Sequence, residues 1–203
     1  MLLAVNGEAS RPAGGIFAGL RYDRFERTAG RDGWNREIAM QLMGRCGLRA
    51  SEVSYPADKH LRWSEDGDIW LFEVRGKNTK GGDPKIRDAW MPEDVADDVH
   101  NYSRERGLVA TDRWVDASTP SIRWWVKETA ETVAQETGDE RWLNVSSHDL
   151  RRSWATYHLV ERQVDVRTMM SIGGWSDYEA IEPYLAEPTE KRIGEAMAAK
   201  HLH

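Results

Sequence analysis

The chain has 203 residues, 40% hydrophobic and 31% charged, enough for one substantial domain with a real core and without the bias of a disordered or fibrous chain. Its 34 acidic residues outnumber 28 basic ones, 21 of them Arg and 7 Lys, for a net charge of -6; binding to nucleic acid therefore requires cations gathered on one face. No apolar run approaches the roughly 20 residues that span a bilayer, "MLLAVNGEASRPAGG" lacks the basic start and long apolar run of a secretory leader, and Cys46 is the single cysteine, so no internal disulfide forms and a reducing, cytoplasmic setting is expected with no membrane partner.

Residues 1–30 read as an N-terminal arm or lead-in, and 31–203 as one folded unit. Within the lead-in, Arg21, Arg24, Arg27 and Arg31 suggest a short helix over 20–31, with a solvated face or a phosphate-contacting edge as its alternative readings. The spacing of Trp34, Ile38 and Leu42 predicts a helix from Trp34 to Cys46, with Asp32 as its cap and Gly47 as its stop. "LRASEV" is read as the start of another helix. "HLRWSEDGDIWLFEVRGKNTKGGDPKIRDAWMP" then reads as three strands, with Asp66-Gly67 and "NTKGGDP" as the turns. Trp70, Phe72 and Val74 alternate with Leu71, Glu73 and Arg75, which makes one face more apolar. Helices are expected over 93–106, 120–136, 148–161, 165–172, 177–186 and 188–200, with Ser146 or Ser147 capping the third. The fold class is α+β, mainly α-helical, with a small three-stranded antiparallel sheet.

The stretch "SSHDLRRSWATYHLVER" holds the first chemistry. His148 and Arg151, three apart, share a helix face. Leu150, Trp154 and Tyr157 are expected to form the buried stripe beside them. A His and an Arg together suit an anionic oxygen: the Arg donates two parallel bonds, and the His donates one or moves a proton. Taken alone, such a pair is ordinary surface chemistry. The six histidines and one cysteine show no tight ligand spacing, so no metal is expected. "GRCGLR" and "GKNTKGG" lack the spacing of a nucleotide-binding glycine loop, and no cofactor is expected.

Read together, "HDLRRSWATYHLVERQVDVRTMMSIGGWSDYEAIEPY" resembles the C-terminal motif of the tyrosine recombinase (phage integrase) family: a His-x-x-Arg helix, a turn into a further helix, a Gly-His or Gly-Trp step, and a tyrosine nine residues on. Trp175 stands at the His/Trp position and Tyr184 lies nine residues after it, whereas Tyr178 lies only three after it. Upstream, "GLRASEV" resembles the first arginine motif, and "RGKNTKGGDPKIRDAWMP" resembles the strand-turn-strand that carries the catalytic lysine. The matches span about residues 34–195. Arg152 stands where the family often has His or Lys, and no N-terminal core-binding domain is evident before the match.

The resemblance implies a tyrosine recombinase catalytic domain over 31–203. The implied activity is metal-independent cleavage and rejoining of DNA at attachment sites through a 3′-phosphotyrosyl link. It implies Arg49, Lys77, His148, Arg151, Trp175 and Tyr184 as the catalytic set, with Glu52 in support. It also makes the basic hairpin a DNA-contacting surface, through Arg75, Lys80, Lys85 and Arg87, together with Arg152. Read from the residues alone, Arg49 could equally pair with Glu52 or cap a helix, and Lys77 has Lys80 and Lys85 as rivals. The implied partner is double-stranded DNA, with a tetramer on the DNA, a monomer without it, and a nucleoid-associated location. A type IB topoisomerase-like enzyme shares the same residue set, and a non-catalytic DNA-binding regulator is the reading from another class.

Overall fold

The computed structural model describes residues 20–76, 84–185 and 194. The lead-in over 1–19, Lys77, Lys80 and, apart from Gly194, the helix expected over 188–200 lie outside them. Helix α1 (Leu20–Gly30) is followed by α2 (Trp34–Gly44), the strands β1 (Leu61–Ser64), β2 (Ile69–Arg75) and β3 (Ile86–Met91), and then α3 (Glu93–Arg106), α4 (Thr119–Thr137), α5 (Ser147–Thr156) and α6 (Val166–Gly173). Short 3₁₀ turns cover Asp58–His60, Glu140–Asn144 and Glu182–Tyr184.

Helix α2 is the centre of the assembly. Ile38, Ala39, Met40, Leu42 and Met43 are all fully buried, because α1, α3, α4 and α5 pack around it; a helix that is apolar on most sides belongs in a core. Helix α1 buries Tyr22, Phe25 and Ala29, one face at helical spacing, and Phe25 stacks on Trp142 with ring centroids 5.6 Å apart. The cap expected at Asp32 is instead Gly33; Asp32 accepts a bond from Arg36 at 3.2 Å. "LRASEV" forms turns rather than a helix, since the Glu52 carboxylate bonds the Arg49 backbone N–H at 2.8 Å and closes the chain locally.

The sheet is antiparallel in the order β1-β2-β3. Phe72 pairs with Ala89, and Val74 with Arg87. Phe72, Val74, Ala89 and Met91 are buried, as period-two alternation requires of the covered face. The loop joining β1 and β2 contains Asp66-Gly67 as expected, and Asp68 takes the left-handed conformation there, which Asp tolerates.

Caps fix the later helices. Ser118 accepts from the Ser121 N–H at 3.2 Å to begin α4. Ser146 and Asp149 form a capping box at α5, and Asp165 accepts from the Thr168 N–H at 3.0 Å at α6; each satisfies donors that a helix start leaves unpaired. Helix α5 does not run on to 161 as an α-helix: its last turn, Tyr157–Glu161, widens to π geometry. Leu150 and Trp154 are buried as expected, but Tyr157 is 44% exposed; Ala155 and Leu159 complete the covered side. Of the helix expected over 177–186, the described residues 177–185 form no α-helix: turns lead to the 3₁₀ turn that contains Pro183 and Tyr184, Pro183 sitting at its start, where a missing N–H costs nothing.

The core has two parts. The larger joins α1–α4, the sheet and Leu150. The smaller gathers Trp154, Ala155, Leu159, Met169, Trp175 and Ile181, with Tyr184 and Leu185 against it. Helix α5 bridges them, and Arg151 lies between its contributions to each.

One buried group makes the fold sensitive to pH. Glu26 is 5% exposed, with its Oε2 4.0 Å from Arg45 and its Oε1 without a hydrogen-bond partner among the described residues. Burial pushes its carboxyl up to about 8, against the pull of Arg45. A carboxyl with a folded pKa above its unfolded one stabilises the fold most below the unfolded pKa, and that contribution is lost as pH rises through the folded value. Glu26→Gln is therefore expected to unfold much like the wild type at pH 5 but to be more stable by about 1–3 kcal/mol at pH 8.5. Urea denaturation at the two pH values checks this; an equal effect at both would contradict it.

Candidate functional site

The site grows from a buried cation. Arg151, on the second turn of α5, is 2% exposed, and an unpaired guanidinium there would be strongly unfavourable. Its Nη1 donates to the carbonyl of Gly47, and its Nη2 to that of Gly173 at 2.6 Å. Gly173 ends α6, so its carbonyl is one that the helix leaves without an internal partner, at the negative end of the helix dipole. Gly47 follows α2 and has φ 73°; this left-handed turn suits glycine, and a Cβ there would enter the ring of Trp154. Two chain reversals therefore aim carbonyls at one guanidinium. The Arg151 guanidinium also lies over the ring of Trp175, 4.2 Å from the centroid, a cation–π contact. Burial, then the nearby charge of Arg49, pulls its pKa down to about 9, so the site favours an added negative charge.

A second layer is organised by Glu52, which is 1% exposed. Its Oε1 accepts from Nη1 of Arg49 at 2.8 Å, and its two oxygens accept from Nη1 and Nη2 of Arg87 at 2.9 and 3.0 Å. Burial pushes this carboxyl up, but the bonds and charge of Arg87, joined by those of Arg49, outweigh it and hold the group below its ordinary range. The Nη2 of Arg49 reaches the carbonyl of Gly174 at 3.4 Å, while its side chain stays 40% exposed. Arg49 is thus oriented from behind and open in front. Three guanidiniums around one carboxylate leave the cluster net positive.

The third layer is aromatic. Trp175 stacks on Trp154 at 6.1 Å and 12°, and its ring meets that of Tyr184 at 5.5 Å. The Tyr184 hydroxyl lies 3.5 Å from Nε2 of His148, which stands exposed at the start of α5. Tyr178 is 55% exposed.

The phage integrase family model matches residues 24–191. This chain belongs to the phage integrase family. It is 27% identical over 168 residues to the tyrosine recombinase XerA of Pyrococcus furiosus, a match that takes in 83% of this chain and 55% of that protein; the chain thus spans about half the length of this curated relative. The fold is similar to that of the Tn1549 transposon integrase solved in complex with transposon right end DNA (TM-score 0.71, 15% identity, 95% of this chain and 68% of that one). It is similar also to the XerH site-specific recombinase bound to difH substrate (TM-score 0.65, 14% identity, 92% and 54%).

In this phage integrase family chain, the structure brings Arg49, His148, Arg151, Trp175 and Tyr184 together, with Glu52 behind them. Lys77 and Lys80 fall outside the described residues. Arg75, Lys85 and Arg152 are exposed. Arg87 is placed differently from the sequence expectation: its side chain is 7% exposed and directed inward onto Glu52, so it is not presented to a ligand as an open surface cation. The sequence carried a signal for this, because Arg87, Ala89 and Met91 alternate on the covered face of β3. The receiving carbonyls of Gly47, Gly173 and Gly174 carry no side-chain signature.

Gly173 tests the tightness of this packing, since a Cβ there would enter the ring of Trp175, whereas one on Gly107 (φ 64°) would meet nothing within 4 Å. Gly107→Ala is expected to lose about 1 kcal/mol to backbone strain alone, and Gly173→Ala about 2–3 kcal/mol through overpacking. Chemical denaturation of both variants gives the comparison, and a Gly173→Ala no less stable than Gly107→Ala would show that Trp175 is not held as described.

Proposed function

We propose that this chain is the catalytic part of a site-specific DNA recombinase that breaks and rejoins strands through a tyrosine–phosphate link. The observation that carries the reading is the contact chain from the Tyr184 hydroxyl to His148 on one side and through Trp175 to Arg151 on the other. A tyrosine packed only for stability would not need a histidine at its hydroxyl and two guanidiniums nearby.

In this reading a DNA phosphodiester sits before Arg49, whose open donors bind a non-bridging oxygen, while the charge of Arg151, buried and held by carbonyls, stands fixed behind it; little rearrangement is required as negative charge grows. The Tyr184 oxygen attacks phosphorus, His148 takes up the phenolic proton, and the bond to the 5′-oxygen breaks. Lys77, next in the chain after Gly76, protonates the leaving 5′-oxygen. The phosphate stays joined to the tyrosine and to the DNA 3′ end, so a 5′-hydroxyl from the same or another duplex can attack it and restore the backbone. Four copies on two paired sites complete strand exchange. The net charge of -6 makes binding depend on local basic groups, and hence on salt.

A set of nicked duplexes drawn from the DNA beside the gene supplies substrates, the nick letting the short downstream fragment that carries the freed 5′-hydroxyl diffuse away and so trapping the link. Wild type and Tyr178→Phe are expected to give a covalent protein–DNA band on a denaturing gel, with or without EDTA, because guanidiniums carry the charge here. Tyr184→Phe is expected to give none. A band that persists in Tyr184→Phe, or that needs magnesium, would overturn the reading.

A further inference from the structure

We propose that Arg87 is a positioning residue for the first arginine of the site: through Glu52 it fixes where Arg49 meets the phosphate, and it does not itself contact DNA. This inference rests on the recombinase reading above.

Four observations converge on it. Arg87 grips both oxygens of Glu52, at 2.9 and 3.0 Å, a bidentate geometry that sets the carboxylate plane as well as its place. The same carboxylate holds Arg49 twice, through its Nη1 and its backbone N–H, both at 2.8 Å. The Nε of Arg87 donates to the carbonyl of Ile172 at 3.1 Å, and Arg49 reaches Gly174 two residues on, so both arginines hold the C-terminal end of α6 from which Trp175 projects. Finally, Glu52 lies beneath the root of the β2–β3 hairpin: its Oε1 is 4.0 Å from the position a Cβ would take on Gly76, whose N–H bonds the carbonyl of Lys85 at 2.9 Å. Lys77 follows Gly76 directly in the chain. One guanidinium thus ties β3, the turn that bears Arg49 and the end of α6.

A lysine at position 87 would keep the charge but could not reproduce the fork or the bond to Ile172. A methionine would leave Glu52 buried with Arg49 as the cation still bonded to it and Arg151 farther off, so its carboxyl would protonate more readily and release Arg49 as pH falls. A positioning role therefore makes a pH-dependent defect, which a simple loss of folded protein or of a DNA contact does not.

The test compares wild type, Arg87→Lys, Arg87→Met and Glu52→Gln on the nicked duplexes described above, with thermal unfolding measured alongside. At saturating DNA, Arg87→Lys is expected to slow single-turnover formation of the covalent link by about tenfold to a hundredfold, with DNA affinity and its salt dependence unchanged. The Arg87→Met defect is expected to be larger at pH 6 than at pH 9, and Glu52→Gln to lose rate without that pH dependence. Weaker binding with a salt slope reduced by about 1 and a normal rate at saturation would make Arg87 a phosphate contact and overturn the proposal, as would a pH-independent loss that follows the fall in melting temperature. If wild type itself forms no link, the recombinase reading fails, and the tie is then read without DNA. The ¹³C-labelled Glu52 carboxyl should titrate at higher pH in Arg87→Met than in wild type, and an unchanged titration would overturn the tie.

Discussion

The structure depends on satisfying one buried guanidinium. Arg151 sits between the two parts of the core, where an unbonded charge would be untenable, and it is held by carbonyls from the turn after α2 and the end of α6. These carbonyls come from segments more than a hundred residues apart in the chain, so the side chain acts as a fastener between the larger core and the small aromatic one. The bonds serve two ends at once. They neutralise the desolvation that burial imposes, and they leave a fixed cation beneath the face where Trp175 and Tyr184 pack.

Around that fastener, charge is arranged in depth. Glu52 draws Arg49 and Arg87 toward the interior, and the cluster keeps an excess of positive charge that a phosphate would balance. The inner guanidiniums are immobilised by carbonyls and carboxylate; Arg49 alone of the three is substantially open to solvent. A site built this way does its ordering work during folding, so little reorganisation remains when negative charge develops. The acidic composition is compatible with this, because the local field near the cluster, rather than the net charge of -6, governs an anion at close range.

Much of the architecture is readable in the sequence because its signals are local. Helix α3 occupies 93–106 as expected, bounded by Pro92 and Gly107, and the three strands follow from period-two alternation and two turn motifs. The misreadings share a cause. "LRASEV" and the stretch over 177–186 each have helical composition, but a side-chain bond or tertiary packing redirects the backbone: Glu52 closes its own turn, and Ile181 is drawn into the small core. The family resemblance picked out Arg49, His148, Arg151, Trp175 and Tyr184, and the fold brings those residues together. The placement of Arg87 escaped because its basic neighbours suggested a surface, although strand alternation pointed inward. The carbonyl acceptors were beyond reach, since any residue has a carbonyl and only the fold aims it.

The central claim is that the Tyr184 oxygen is the atom that becomes joined to DNA, and locating the modified residue tests it most directly. Trypsin is expected to release Thr168–Lys191, which contains both Tyr178 and Tyr184, so peptide mass alone would not separate them. After trapping on a nicked duplex and digestion with nuclease, fragmentation of that peptide by mass spectrometry should place the residual nucleotide on Tyr184. A nucleotide on Tyr178, on Tyr157 or on any residue outside this peptide would contradict the account.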